Sequence, residues 1–581
     1  VFLLTGGAIT FVVDAFSRNK NIKYTCVAHE QAAAMMADAY SRIGPNFSAT
    51  MCTSGPGATN LITGIACSWF DSIPSLHICG QVNRYEMITG HPSTKKVRQV
   101  GFQETDIVSI AKPITKFAYQ IKNEKEVRYC LEKAFYISQT GRPGPVLLDI
   151  PMDIQRKKIS PNSLKKFIPK KERIDFKLLD NKIKLISKLL NKSKRPTIIV
   201  GGGIRISKTE KNLKSLLNKL NIPIVTTWSG LDAVSHEHRN YIGTIGVYGN
   251  RAANFTIQNS DFVLSLGSRL DTRITGGVPK TFARGAKIVS VDIDKYELGK
   301  KRGLNIKVPI NNDLKDFFYR LEKNSKNFSI TKKEWIIKAL KWKQKYPAVV
   351  KSDRKQKKHV NPYFFMEELS KQLKSDDIIV ADDGGHLTWA VQGLKIRKNQ
   401  RLFSAFGNSP MGYALPAAIG ASIAKNKKKI ICIDGDGSIQ INIQELQTIM
   451  TYKLPIKLFI INNNGYGIIK QFQGLYLGKR YEASDGQKGV KIPNFAKISK
   501  AYGFNYSEII KNNEIEKTLK KVLKSNKPEF INVYLNPNQK IIPKLSFGDP
   551  IEDLSPRLNR NEFYENMIID PLRKSKPKES L

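Results

Sequence analysis

No Cys-x-x-Cys pair occurs in this sequence, and its six cysteines (Cys26, Cys52, Cys67, Cys79, Cys130 and Cys432) stand apart, several inside apolar stretches. That spacing excludes a zinc ribbon and argues against a disulfide framework. It points to a reducing, cytoplasmic setting. No apolar run reaches the ~18 residues that a membrane-spanning helix needs, so no membrane partner is expected. Acidic residues are scarce: 50 Asp and Glu against 95 Lys and Arg leave a formal charge of +45. Such a balance invites a nucleic-acid reading. The basic residues, however, are mostly Lys scattered along the chain, with runs such as Lys427-Lys428-Lys429 at turn-like places, and no zinc-finger, RNA-recognition or basic-zipper pattern accompanies them. Nucleic acid is therefore not expected as a partner, and the charge is better suited to steering small anionic substrates. The first residue is Val1, already inside a strand-like stretch, so the natural start and any targeting signal are expected upstream.

The 581 residues are 41% hydrophobic, enough to bury several cores. Short β-branched runs alternate with helical stretches throughout, the pattern of parallel sheets covered by helices. The fold class expected is α/β, with three consecutive domains whose parallel sheets are flanked by helices: residues 1–158, 180–322 and 361–543, followed by a tail over 544–581. Strands are expected at 1–4, 24–27, 49–53, 76–79 and 146–150 in the first domain. The second should hold 196–200, 224–227, 262–266 and 287–291. The third should hold 378–381, 429–433, 457–461 and 530–534. A basic, proline-containing linker spans 156–173, a Lys-rich helical connector spans 323–345, and the last residues, 574–581, read as disordered.

The strongest chemical signal lies between Gly435 and Gly467. One apolar strand runs into Gly435-Asp436-Gly437-Ser438, and the next into Asn462-Asn463-Asn464-Gly465. Ligands of open α/β sheets bind beyond the carboxyl ends of the strands. Here two neighbouring strand ends offer hard oxygen donors, the Asp436 carboxylate and the Asn463 amide, with Gly465 beside them. Such donors suit Mg²⁺, which keeps positions open for phosphate oxygens. Gly435 and Gly437 let the backbone approach a diphosphate, and Ser438 opens the following helix. Either segment alone is an ordinary turn; the specificity lies in the pair.

That pair resembles the signature of thiamine-diphosphate enzymes, and the likeness extends along almost the whole chain. It is similar to the large catalytic subunit family of acetolactate synthase in His29-Glu30-Gln31-Ala32, Thr53-Ser54-Gly55-Pro56-Gly57-Ala58-Thr59-Asn60, Asp71-Ser72-Ile73-Pro74, Gly80-Gln81-Val82, Phe102-Gln103-Glu104, Gly141-Arg142-Pro143-Gly144-Pro145 and Met411-Gly412. The resemblance implies a thiamine-diphosphate-binding fold at both ends, pyrimidine-binding first and diphosphate-binding last, around a Rossmann-like central domain that carries FAD. It implies that Glu30 bonds the cofactor's pyrimidine ring and promotes its imino tautomer. Gly7 would offer a backbone donor to the reacting carbonyl, and Gln81, Phe102, Gln103 and Lys116 would stand at the substrate pocket. Gly55, Asn60 and His386 would contact the cofactor, and Met411 would force it into a bent shape. Gly202, Gly203, Arg269 and Asp292 match FAD-contacting segments.

The same resemblance implies pyruvate and a second carbonyl compound as substrates, a homodimer or homotetramer, and a small regulatory subunit. Several stretches depart from the family: Phe472 where Trp is usual, a longer loop over 85–100 with His91, Pro92 and Arg98, Ser409-Pro410 before Met411, and the segment 550–566. These departures look like a related clade in which the two-carbon unit goes to a keto sugar. Transfer to a second 2-oxo acid is the first expectation, the keto-sugar acceptor follows it, and a flavin-using pyruvate oxidase is a third reading.

Overall fold

The computed structural model describes all residues except Asn46, 91–96, 170–174, Lys301, 325–329, 573–574 and 576–581. Three six-stranded sheets follow one another along the chain, each wholly parallel and flanked by helices. The first comprises β1 (Phe2–Leu3), β2 (Thr25–Cys26), β3 (Ser48–Cys52), β4 (Ser75–Gln81), β5 (Phe117–Gln120) and β6 (Pro145–Pro151), in the order β2-β1-β3-β4-β6-β5. The central sheet follows with β7 (Pro196–Val200), then a two-residue strand β8 (Leu220–Asn221) outside it, β9 (Ile224–Thr226), β10 (Tyr241–Thr244), β11 (Phe262–Leu266), β12 (Lys287–Asp292) and β13 (Ile306–Asn311). Its order is β10-β9-β7-β11-β12-β13, while β8 pairs with β14 (Ile330–Thr331). The last sheet contains β15 (Ile378–Ala381), β16 (Arg401–Phe403), β17 (Ile430–Gly435), β18 (Ile456–Asn462), β19 (Asn505–Ile509) and β20 (Glu529–Tyr534), ordered β16-β15-β17-β18-β20-β19.

The inner strands are buried along their whole length, as in β7, β17 and β18. Sheets covered on both faces demand such continuous apolar runs, and these are the strands that the sequence announces. The expected strands agree with the inner ones to within two residues at either end. Five strands of the large sheets were not expected: β5, β10, β13, β16 and β19. Every one of them is an edge strand.

The first and last domains share a core. The helix Glu30–Ile43 lies against the helix Ala414–Ala424, and Phe2, Met35 and Met36 join Ala417, Ile419, Ile430 and Leu458 in one cluster. A Cβ on Gly420 would meet the Met36 carbonyl oxygen at 2.2 Å, so the two helices touch backbone to backbone. A buried ionic cluster pins the contact. Arg42 pairs with Asp38 at 2.6 Å and with Asp71 at 2.8 Å, and the Tyr413 hydroxyl donates to Asp38 at 2.5 Å.

The segment expected as a tail is built into the central domain. Leu545, Ile551, Leu554 and Phe563 are buried in one cluster with Phe255, Trp335 and Trp342. Gln258 donates to Glu552 at 2.5 Å, and the Trp342 indole donates to Asn566 at 2.7 Å. The disorder expected over 574–581 falls outside the described residues except for Ser575. His91 and Pro92 of the long loop, residues 170–173 of the linker and 325–329 of the connector also lie outside them. The described connector is helical over Lys333–Lys345, and Phe167 of the linker packs edge-on against Tyr129 and at a tilt against Tyr136 of the first domain.

Candidate active site

The carboxyl ends of β17 and β18 bring the two halves of the Gly435–Gly467 signal together. Asp436 is buried. Its carboxylate accepts the Gly437 N–H at 2.8 Å and the Gly465 N–H at 3.1 Å. Burial nonetheless pushes this carboxyl up to about 6. The Asn463 amide, oriented so that both its ends are satisfied, donates to the Gly465 carbonyl at 3.1 Å and accepts the Gly467 N–H at 3.3 Å. Gly465 has φ 136°, and a Cβ there would meet the Ser484 carbonyl at 2.7 Å, so only glycine fits the turn.

His386 covers the first glycine of this cradle. A Cβ on Gly435 would meet the imidazole at 2.7 Å and the Ser438 hydroxyl at 3.2 Å. Burial holds the His386 ring neutral, down to about 3, and its Nε2 is buried with no hydrogen-bond partner. A buried carboxylate facing backbone donors, a neutral imidazole with an unsatisfied nitrogen, and glycines that keep Cβ atoms away form a donor set that fits a divalent cation and a diphosphate.

Two buried carboxyls that sequence reasoning missed lie beneath the cradle. Asp382 accepts the N–H groups of Gly412, Tyr413 and Ala414 at 2.7, 2.8 and 3.2 Å, which fixes the turn carrying the half-buried Met411. Asp434 lies beside Asp382, and burial together with that second carboxyl pushes Asp434 far up. The signal for this pair was present, since an Asp ends each of two adjacent strands, but Asp434 was overshadowed by the Gly-Asp-Gly that follows it.

A second corner forms at the carboxyl ends of β1, β2 and β3. His29 caps the helix Glu30–Ile43, its Nδ1 accepting the Gln31 N–H. Glu30, at the first position of this helix, is buried, and its Oε2 accepts from the Asn60 amide at 3.0 Å. A Cβ on Gly57 would meet Glu30 Oε1 at 3.3 Å and Thr53 at 2.9 Å. Thr53 in turn accepts the Ala8 N–H at 3.2 Å, next to the exposed Gly7. Gln103 lies over Gly55, 3.0 Å from where a Cβ would be, and Phe102 beside it is 85% exposed. Glu30, Gly7, Gly55, Asn60, Phe102 and Gln103 thus share one corner. The segment leading into Glu30 is tied to the last domain by the Ala28 N–H, which donates to Glu445 at 3.0 Å.

Two expected pocket residues are engaged elsewhere. Gln81 is buried, and its amide donates to the Thr105 carbonyl at 2.8 Å and to Asp149 at 3.1 Å, which props the Gln103 loop from behind. Lys116 donates to the Ile137 and Thr140 carbonyls, both at 2.5 Å, and so caps the end of the helix Val127–Gln139. Its amine, lowered to about 8 by burial, is spent on a helix terminus.

Gly202, Gly203, Arg269 and Asp292 line one cavity of about 980 Å³, closed by Arg42 and Phe70 from the first domain and by Phe403 and Phe406 from the last. The glycine triplet has a packing reason of its own: a Cβ on Gly201 would meet the Gly267 carbonyl at 2.2 Å, and one on Gly203 the Gly267 Cα at 2.7 Å. In the lining of the same cavity the Arg273 guanidinium lies 4.6 Å over the Trp228 ring. Phe472 belongs to an aromatic trio, its ring 5.0 Å from Tyr476 and 5.5 Å from Phe547 of the C-terminal segment.

Comparison with known proteins matches three stretches of the chain. Residues 1–110 match the thiamine pyrophosphate enzyme N-terminal TPP binding domain, 183–321 the central domain and 382–533 the C-terminal TPP binding domain of that family. The acetolactate synthase large subunit of Cyanidium caldarium is 34% identical over 558 residues, covering 94% of this chain and 92% of that protein. The corresponding subunit of Buchnera aphidicola is 33% identical, covering 95% of each. The probable acetolactate synthase large subunit of Methanococcus aeolicus is 34% identical, covering 93% and 90%. No helix among the described residues is long and apolar enough to cross a membrane.

Proposed function

The chain belongs to the acetolactate synthase large-subunit family of thiamine-diphosphate enzymes, and from that premise we propose that it decarboxylates pyruvate and joins the remaining two-carbon unit to a second carbonyl substrate. The observation that carries this reading is the cradle at Gly435–Ser438, where a buried carboxylate and an unpartnered buried imidazole nitrogen converge. Asp436, Asn463 and the Gly465 carbonyl would hold Mg²⁺, and His386, Gly435, Gly437 and Ser438 the diphosphate. Thiamine diphosphate, once held there, supplies the electron sink that decarboxylation of a 2-oxo acid requires.

Glu30 is assigned to the cofactor's aminopyrimidine, since it is the buried carboxylate of the first domain's corner and accepts its hydrogen bond from a neutral amide. The Gly7 backbone N–H, in an open corner, suits a carbonyl oxygen that gains negative charge. Met411, on the turn clamped by Asp382, suits the role of a wedge beneath a bent cofactor. FAD is assigned to the part of the 980 Å³ cavity lined by Gly202, Gly203, Arg269 and Asp292. The Glu30 corner and the Asp436 cradle bond to separate partners within one chain, and Phe102, next to Gln103, is exposed. A homodimer or homotetramer, in which each chain's Glu30 corner faces the other's cradle, is the assembly this reading requires; a small regulatory subunit is a further partner of the same reading.

The acceptor in the first reading is a second 2-oxo acid. Transfer to a keto sugar is the second reading, favoured by Phe472, which lacks the N–H donor of an indole. Incubation of the purified protein with thiamine diphosphate, Mg²⁺ and labelled pyruvate tests the proposal. Labelled CO₂ and an acetolactate-type product are expected. Flavin reduction by pyruvate without any ligated product would replace the carboligase with an oxidase.

A further inference from the structure

One carboxylate at the cradle has no part in the reactions above. Asp383 lies two residues beyond β15, and its carbonyl accepts from Ser438 of the cradle at 3.3 Å. Its side chain accepts the Ser409 hydroxyl at 2.5 Å. Ser409 is held in left-handed backbone (φ 56°) two residues before Met411, and it lines the large cavity together with Arg273, Trp228 and Phe406. Burial raises the Asp383 carboxyl, while the Ser409 hydroxyl and the Arg273 guanidinium hold it down; burial, and to a lesser degree Asp383, raises the Tyr248 hydroxyl, whose ring is 5.9 Å from Trp228. A carboxylate therefore stands behind Ser409, in the wall of the cavity that Arg273 also lines, and Arg273 is the cation that a second 2-oxo acid's carboxylate would seek.

Like charges at such range oppose binding, and in a site of reduced dielectric the opposition is worth a factor of ten or more. A carboxylate that repels anions is at the same time a strong acceptor for hydroxyl groups. We propose that Asp383, positioned by Ser409, selects the acceptor, disfavouring 2-oxo acids and favouring neutral carbonyl compounds that carry a hydroxyl group beside the carbonyl. This inference rests on the carboligase reading. In the transfer step the bond from pyruvate's carbonyl carbon to its carboxylate breaks and CO₂ leaves. That carbonyl carbon then bonds to the acceptor's carbonyl carbon, whose oxygen takes up one proton; no oxidant or reductant is needed.

The test uses the holoenzyme with labelled pyruvate, and with 2-oxobutyrate and dihydroxyacetone competing in one vessel, so that a general loss of activity leaves the product ratio unmoved. The wild type should favour dihydroxyacetone. Asp383→Asn should shift the ratio at least about tenfold toward 2-oxobutyrate, chiefly through a lower KM for the oxo acid. Asp383→Glu should restore the original ratio, and Ser409→Ala, which keeps the charge, should leave the preference on the side of dihydroxyacetone. An unchanged ratio in Asp383→Asn, or a wild type that makes no product from dihydroxyacetone while still releasing CO₂ from pyruvate, overturns the inference and leaves the carboligase intact. A wild type that releases no CO₂ from pyruvate overturns the carboligase reading and the inference with it.

Discussion

Replacing Asp436 by Asn probes the cradle at its centre, because the structure gives opposite expectations with and without the cofactor. The carboxylate accepts two backbone N–H groups, yet burial lifts it from 3.8 to about 6. The unfolded chain ionises this group above its ordinary value, whereas the folded apoprotein keeps the proton up to about 6. Folding takes up a proton in that window, so this group's contribution makes the apoprotein less stable as pH rises from about 4 to about 6, by ~3 kcal/mol in all, and no further above it. Asparagine removes that penalty. Its amide nitrogen, however, then faces one of the two N–H donors, which costs ~1–3 kcal/mol. The terms nearly cancel, and at neutral pH the apo variant should lie within ~2 kcal/mol of the wild type. Ligand linkage behaves differently. Mg²⁺ and thiamine diphosphate at a hundred times their Kd should stabilise the wild type by ~2.7 kcal/mol and the variant by almost nothing. Thermal unfolding with and without the pair reads both quantities. Proton and cation compete for one carboxylate, so wild-type cofactor affinity should also fall about tenfold per pH step below about 6. A variant stabilised by the cofactors as much as the wild type would refute the assignment of Asp436.

Glu30→Gln should bind the cofactors normally and lose ~10²-fold or more in turnover; near wild-type turnover would remove Glu30 from the mechanism. Mixing Glu30→Gln with Asp436→Asn after dissociation and reassociation should recover part of the activity, and a mixture as inactive as its components would show that both residues serve the same chain's cofactor. Lys116→Met should lower the melting temperature while leaving the KM for pyruvate unchanged, since the amine caps a helix; a KM raised tenfold or more would return Lys116 to the pocket. Ile551→Ala should destabilise the central domain by ~2–5 kcal/mol, and an unchanged melting temperature would mean that the C-terminal segment is only loosely attached.

What the sequence announced and what it hid separate along physical lines. Inner strands such as Pro196–Val200 and Ile378–Ala381 carry unbroken apolar runs because both faces are covered, and they could be read directly. The edge strands Ile306–Asn311 and Asn505–Ile509 are exposed at alternate or most positions, so no apolar run marked them. The cradle was legible because glycine, carboxylate and amide are confined to two short segments. The roles of Gln81 and Lys116 were not, because a side chain's direction depends on a neighbouring helix end or carboxylate far away in sequence. The C-terminal segment misled for a related reason: its prolines and charges resemble a free tail, and its few apolar residues, Leu545, Ile551, Leu554 and Phe563, find their partners some three hundred residues earlier.

That last arrangement sets an order of events in the life of the chain. The central domain cannot close its core until the final segment has been synthesised. About 230 residues separate the helix Lys333–Lys345 from the end of the docked segment. At the usual pace of translation this is a wait of roughly 10–50 s, during which Trp335, Trp342 and Phe255 lack part of their cover. The first domain waits as well, since its core is completed by the helix Ala414–Ala424. A nascent chain of this protein therefore carries open apolar faces until the segment through Asn566 has left the ribosome.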